Sequence, residues 1–157
     1  MARLSRRFNI KQLIVSETAA RRGLDNRPPV RVVRRLRRLA AGLERVRAIT
    51  RRDLEVTSAY RGPALNALVG GSRTSHHMQG LAADFSCPRF GSPFRVCKAI
   101  VRSPLRFDQL IYEHGDADDG GWVHLSFAPK MRRRVLTICK SRGAYQRGLR
   151  RCPVDLL

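Results

Sequence analysis

The stretch SHHMQGLAADF, Ser75 to Phe85, holds two of the chain's four histidines, a glycine, several small residues and an aspartate. Histidine nitrogen and carboxylate oxygen are ligands for the borderline cation zinc. A catalytic zinc site takes three such side chains and leaves a fourth position for water. His77 and Asp84 stand seven residues apart, with Gly80, Ala82 and Ala83 between them. Residues that small let a loop running into a strand bring both side chains to one ion. The third ligand has to come from elsewhere. The segment WVHLSF offers His124 in a strand-like setting, and a neighbouring strand can aim it at the same point. Two histidines and one aspartate are the donor set this spacing suggests.

Such a set needs a scaffold. FNIKQLIVSETAARRG carries apolar residues at Ile10, Leu13, Ile14, Ala19 and Ala20, a helical rhythm that ends at Gly23. DNRPP is a turn, because Pro28 and Pro29 cannot lie inside a helix. From about Pro29 to Thr50, apolar residues recur at three and four while arginines fill the other face, which predicts the longest helix. LEVTSAY alternates as a strand from Leu54 to Tyr60, and RGPALNALVGG reads as a short helix broken at Gly70 and Gly71. GLAADFSC is a second strand. SPFRVCKAIVRS is a helix with Ser92 as its cap and Pro93 at its first position. RFDQLIYEH and GWVHLSFA are two more strands on either side of an acidic, glycine-rich turn. Beyond Pro129 the chain is basic and weakly periodic, and it reads as a tail or a last helix. The pattern predicts a small α+β domain over residues 1–128, with residues 129–157 as a basic appendage.

The residues that carry this chemistry resemble a known family. SHHMQGLAAD is similar to the Ser-x-His-x-x-Gly-x-Ala-x-Asp signature of zinc D-Ala-D-Ala carboxypeptidases and related phage endolysins, the M15 peptidases. Ser75, His77, Gly80, Ala82 and Asp84 fall on its defined positions. VTSAYRGPALNALVGG, FDQLIYE and WVHLSF resemble further blocks of the same family, so the likeness runs from about Phe8 to Phe127. It implies N-terminal helices packed on a small central antiparallel sheet, as in lysostaphin-type peptidases and the hedgehog signalling domain. It implies zinc held by His77, Asp84 and His124. Arg61 would hold the scissile carbonyl or its oxyanion, and Ser75 would contact substrate or orient a ligand.

One departure bears on the catalytic base. Many members carry an acid three residues before the last histidine, and here that position is Gly121. Smaller relatives keep an acid at the end of the preceding strand, which makes Glu113 the expected base. Asp118 and Asp119 are the alternatives. His76 lies off the signature and receives no role, and His114 is expected to face solvent.

The net charge of +20 is unevenly spread: residues 1–52 carry +13, residues 129–157 carry +8, and the middle carries −1. Basic flanks of this size favour an anionic polymer, a membrane face or nucleic acid. No apolar run approaches the roughly 18 residues needed to cross a bilayer. No signal peptide is read at the N-terminus, so the protein would act at the bacterial cell wall or in the periplasm if released, and otherwise be cytoplasmic or virion-associated. A monomer acting on peptidoglycan stem peptides is expected. Two rival readings are a basic nucleic-acid- or virion-associated protein with a structural zinc fold, and a hedgehog-like module used only for protein binding. Among the four cysteines, Cys87 can pair with Cys97 and Cys139 with Cys152, or all four can be free thiols.

Overall fold

The predicted helix over residues 8–23 is two short helices, α1 (Ile10–Ile14) and α2 (Glu17–Arg21), in the computed structural model, which describes residues 2–153. The cause is local. The Ser16 hydroxyl accepts a hydrogen bond from the Ala19 backbone N–H and so caps a new helix, while Val15 is extended between the two. Asn9 and Gln12 cap α1 reciprocally. α3 (Val30–Thr50) begins after Pro29 and buries a stripe of Val32, Leu36, Leu39, Leu43 and Val46. Its outward arginines 31, 34, 35, 37, 38 and 45 are exposed.

Six strands form one sheet: β1 (Glu55–Ser58), β2 (Ala82–Ser86), β3 (Gln109–Gly115), β4 (Trp122–Ser126), β5 (Arg134–Cys139) and β6 (Tyr145–Arg147), in the order β1-β2-β4-β3-β5-β6. α4 (Pro63–Leu68) lies between β1 and β2 in the chain, and α5 (Pro93–Arg102) lies between β2 and β3. The α+β class agrees with the sequence reading. The sheet is mixed rather than wholly antiparallel, because β3 and β5 run parallel. β4 ends opposite Gln109, where β3 begins, and β5 also begins opposite Gln109. A short loop leaving β4 at that end can only start the next strand there, so β5 has to follow the direction of β3.

The basic C-terminal stretch is neither tail nor helix over residues 134–139 and 145–147. RVLTIC is rich in β-branched and apolar residues, and its second half is buried, as an inner strand requires. Cys139 and Cys152 form a disulfide across this arm, whereas Cys87 and Cys97 are buried free thiols. Residues 154–157 of the expected tail lie outside the described residues.

Strand alternation gives the sheet two different faces. Phe85, Leu110, Tyr112, Val123 and Leu125 pack with Leu36, Leu39 and Leu43 of α3 and with Val96 and Ile100 of α5 in the main core. Trimming one of these leucines to alanine would destabilise the fold by about 2–5 kcal/mol. The other face carries Asp84, Ile111, Glu113, Trp122 and His124 along the wall of an open cleft. Among the described residues no helix is long and apolar enough to cross a membrane.

Candidate metal centre

His77 rides on the turn between α4 and β2, and three contacts hold it there. The Ser75 hydroxyl accepts a hydrogen bond from the His77 backbone N–H at 3.2 Å. Gly80 has φ +68°, and a Cβ at that position would lie 2.7 Å from Val32 Cγ1, so the turn seats directly on α3. The His77 Nδ1–H donates to the carbonyl of Ala59 at 2.7 Å. A carbonyl can only accept, so this bond fixes the tautomer and leaves the Nε2 lone pair facing the cleft.

Asp84 and His124 are register partners on adjacent strands β2 and β4. Asp84 Oδ1 lies 2.8 Å from His124 Nδ1 and 3.2 Å from His77 Nε2. The two histidine nitrogens are 3.2 Å apart. Burial pushes the Asp84 carboxyl toward protonation, but the imidazoles packed against it, His124 foremost and then His77, outweigh this and hold it well below the usual carboxylate range. A tetrahedral zinc with bonds of about 2.0–2.1 Å separates its ligands by roughly 3.3 Å. The observed triangle is close to that, and two nitrogens with one ionised oxygen are a donor set zinc accepts. The three residues can therefore hold a metal.

The cleft around them has a volume of about 540 Å³. Arg61 lines it, and the loop bearing Arg61 is pinned from the N-terminal turn. Asn26 Oδ1 accepts from the Gly62 N–H at 2.7 Å, and Asn26 Nδ2 donates to the carbonyls of Ile14 and Tyr60. Among the described residues the buried Nε of Arg61 has no hydrogen-bond partner. Ser75 lines the same wall.

Glu113 also lines the cleft, paired across the strands with Trp122. Burial raises the pKa of its carboxyl, with the Asp84 charge adding to the rise and His124 opposing it. The turn aspartates stand elsewhere. Asp119 accepts two bonds from Arg151 Nη1, at 2.9 and 3.0 Å, and Asp118 is exposed; neither lines the cleft. Gly121 has φ +85°, and a Cβ there would run into the Glu113 carbonyl oxygen. An acidic side chain has no room at that position in this backbone. His114 is exposed, yet it stacks on Trp122 with ring centroids 4.7 Å apart and belongs to the cleft wall.

Several cleft residues have no signal in the sequence. Tyr145 reaches the cleft from β6, a strand of three residues. Arg132 reaches it from the loop before β5 and is paired with buried Asp108, 24 residues earlier. Only a spacing rule spanning the whole sheet would have linked them.

A family profile described as Peptidase M15 matches residues 6–126, about three quarters of the chain. No curated protein matches the chain.

Proposed function

This chain belongs to the M15 peptidase family, and from that premise we propose that it hydrolyses peptidoglycan stem peptides with a zinc ion held by His77, Asp84 and His124. The bond would be D-Ala-D-Ala, as in a carboxypeptidase, or L-Ala-D-Glu, as in an endolysin endopeptidase. One observation carries the reading: three ligand atoms from a loop and two strands converge in the wall of an open cleft.

When bound, zinc supplies a Lewis acid and a water acidified toward neutral pH. The remaining work falls to the chain. Glu113 accepts a proton from the attacking water and returns it to the departing amine. Its burial, which favours the protonated form, suits a group that must take up a proton near neutral pH. Arg61 holds the scissile carbonyl oxygen as negative charge develops there, and its place in the lining of the cleft beside the three ligands supports that role. Ser75 uses its oxygen to order the His77 turn and keeps its hydroxyl hydrogen for the substrate backbone.

A second activity is supported by the arginine-covered outer surface of α3, on the side of the sheet away from the cleft. Such a surface suits an anionic polymer or nucleic acid, and it would not compete with peptide in the cleft. In a cell-wall setting it would hold the enzyme near its anionic substrate.

The test is a mass-spectrometric digest of purified peptidoglycan fragments with added zinc and, in parallel, with a chelator. Loss of one alanine identifies a carboxypeptidase and a larger split identifies an endopeptidase, in both cases only without chelator. No cleavage by zinc-loaded protein would sink the peptidase reading and leave polyanion binding as the activity to measure.

A further inference from the structure

We propose that Arg132 and Gln109 form a carboxylate-binding subsite at one end of the cleft, with buried Asp108 holding the guanidinium so that its free edge meets an anionic group of the peptide. This deepens the peptidase reading and rests on it for the identity of the peptide.

Asp108 has no exposed surface, and among the described residues the hydrogen bonds to its side chain all come from Arg132. Its Oδ1 accepts from Arg132 Nε at 2.8 Å and from the Arg132 backbone N–H at 3.2 Å, and its Oδ2 accepts from Nη2 at 2.8 Å. Both oxygens are thus committed to the Nε–Nη2 edge of the guanidinium, a bidentate arrangement that fixes the plane of the group. Nη1 makes no hydrogen bond among the described residues. The side chain is about half exposed, and it lines the cleft beside Gln109. A structural ion pair needs only the inner edge. Here the inner edge is taken up by Asp108, and the cleft wall that Arg132 lines also carries the neutral amide of Gln109.

The position on the sheet defines what this group can reach. Gln109, Ile111 and Glu113 alternate along one face of β3, and Ile111 is the register partner of His124. Two residues of strand span about 7 Å and adjacent strands stand about 4.8 Å apart, so Gln109 lies roughly 8–9 Å from His124, on the side opposite Glu113. An extended peptide rises about 3.4 Å per residue. The anionic group that Arg132 takes is therefore two or three residues from the scissile bond. Stem peptides offer two carboxylates at such distances, the α-carboxyl of a γ-linked D-glutamate and the C-terminal carboxyl.

Calorimetric titration of the chelated, metal-free protein tests this without turnover. The probes are L-alanyl-γ-D-glutamyl-L-lysyl-D-alanine, the same peptide amidated at the glutamate α-carboxyl, and the same peptide amidated at its C-terminus. Wild type should bind one amidated form about ten- to a hundredfold more weakly than the free acid, the loss expected when a charge-assisted bond is removed. Which amide is penalised names the carboxylate. Arg132→Lys should keep part of the discrimination and Arg132→Met should lose it. Because Arg132→Met strands a buried charge, the double variant Asp108→Asn with Arg132→Met is measured beside it, with melting temperature as a control for folding. Equal binding of all three probes by wild type, or wild-type discrimination in the folded double variant, overturns the subsite. Hydrolysis by zinc-loaded protein separates the two ideas: cleavage without discrimination removes the subsite alone, and discrimination without cleavage removes the peptidase alone.

Discussion

The ring of His77 is oriented by the carbonyl of Ala59, 18 residues earlier, through a 2.7 Å hydrogen bond from Nδ1. That bond makes the residue just after β1 part of the metal centre although it supplies no ligand. It leaves Nε2 as the only nitrogen of His77 able to face Asp84 and His124.

His124→Ala should remove bound zinc and hydrolysis together, with zinc affinity falling by at least about 100-fold. Metal content after dialysis, set against activity in the same sample, is the measurement. A variant that cleaves as well as wild type without metal would end the metal mechanism.

Glu113→Gln should retain zinc and lose about 100-fold or more in kcat. Asp119→Asn should stay near wild type, because that carboxylate is occupied by Arg151 and stands off the cleft. The opposite ranking would move the base to the turn. Since burial raises the pKa of Glu113, the acidic limb of kcat in wild type should lie above the ordinary glutamate value of about 4.3.

The same burial has a consequence for stability in the metal-free protein. A folded-state pKa above the unfolded one means that folding favours the protonated carboxyl. The penalty is absent below the unfolded value and complete once the pH has passed the folded one. Glu113→Gln removes it. In chelator, the variant should melt with wild type near about pH 3 and above wild type near about pH 8. A variant that melts below wild type at the higher pH would contradict the direction of the shift.

Replacing Cys139 and Cys152 together by serine opens a crosslink between residues 13 apart and should reduce stability by about 3 kcal/mol. Denaturant unfolding would read it. Cys97 should resist thiol reagents in the native protein, since it is fully buried and desolvation pushes its thiol pKa up.

The parts of this molecule legible in the sequence were those with short-range causes. The α3 stripe repeats every three or four residues, Ser92 and Pro93 announce α5, and the signature around His77 and Asp84 sits within ten positions. The break at Val15 was masked because α1 and α2 share one apolar rhythm, and only the Ser16 cap separates them. β5 and β6 were hidden by arginines on either side and by the shortness of β6. Gly121 was visible as a missing acid, but the reason lies in its contact with the Glu113 carbonyl, which only the folded turn creates. The pairing of Asp108 with Arg132 depends on the loop that starts the parallel strand, and nothing local foretells it.

Because one sheet separates the core from the cleft, the parity of a residue's number sorts its role on each strand. On β3 the even positions Leu110 and Tyr112 hold the fold together, while the odd positions Ile111 and Glu113 face the cleft. On β4 the odd positions Val123 and Leu125 are core, and the even positions Trp122 and His124 belong to the cleft. A saturation scan along these strands would beat in twos, alternating between chains that fail to accumulate and chains that accumulate but do nothing. Deleting a single residue within β4 would exchange the two sets, turning His124 into the core and exposing valine to the cleft.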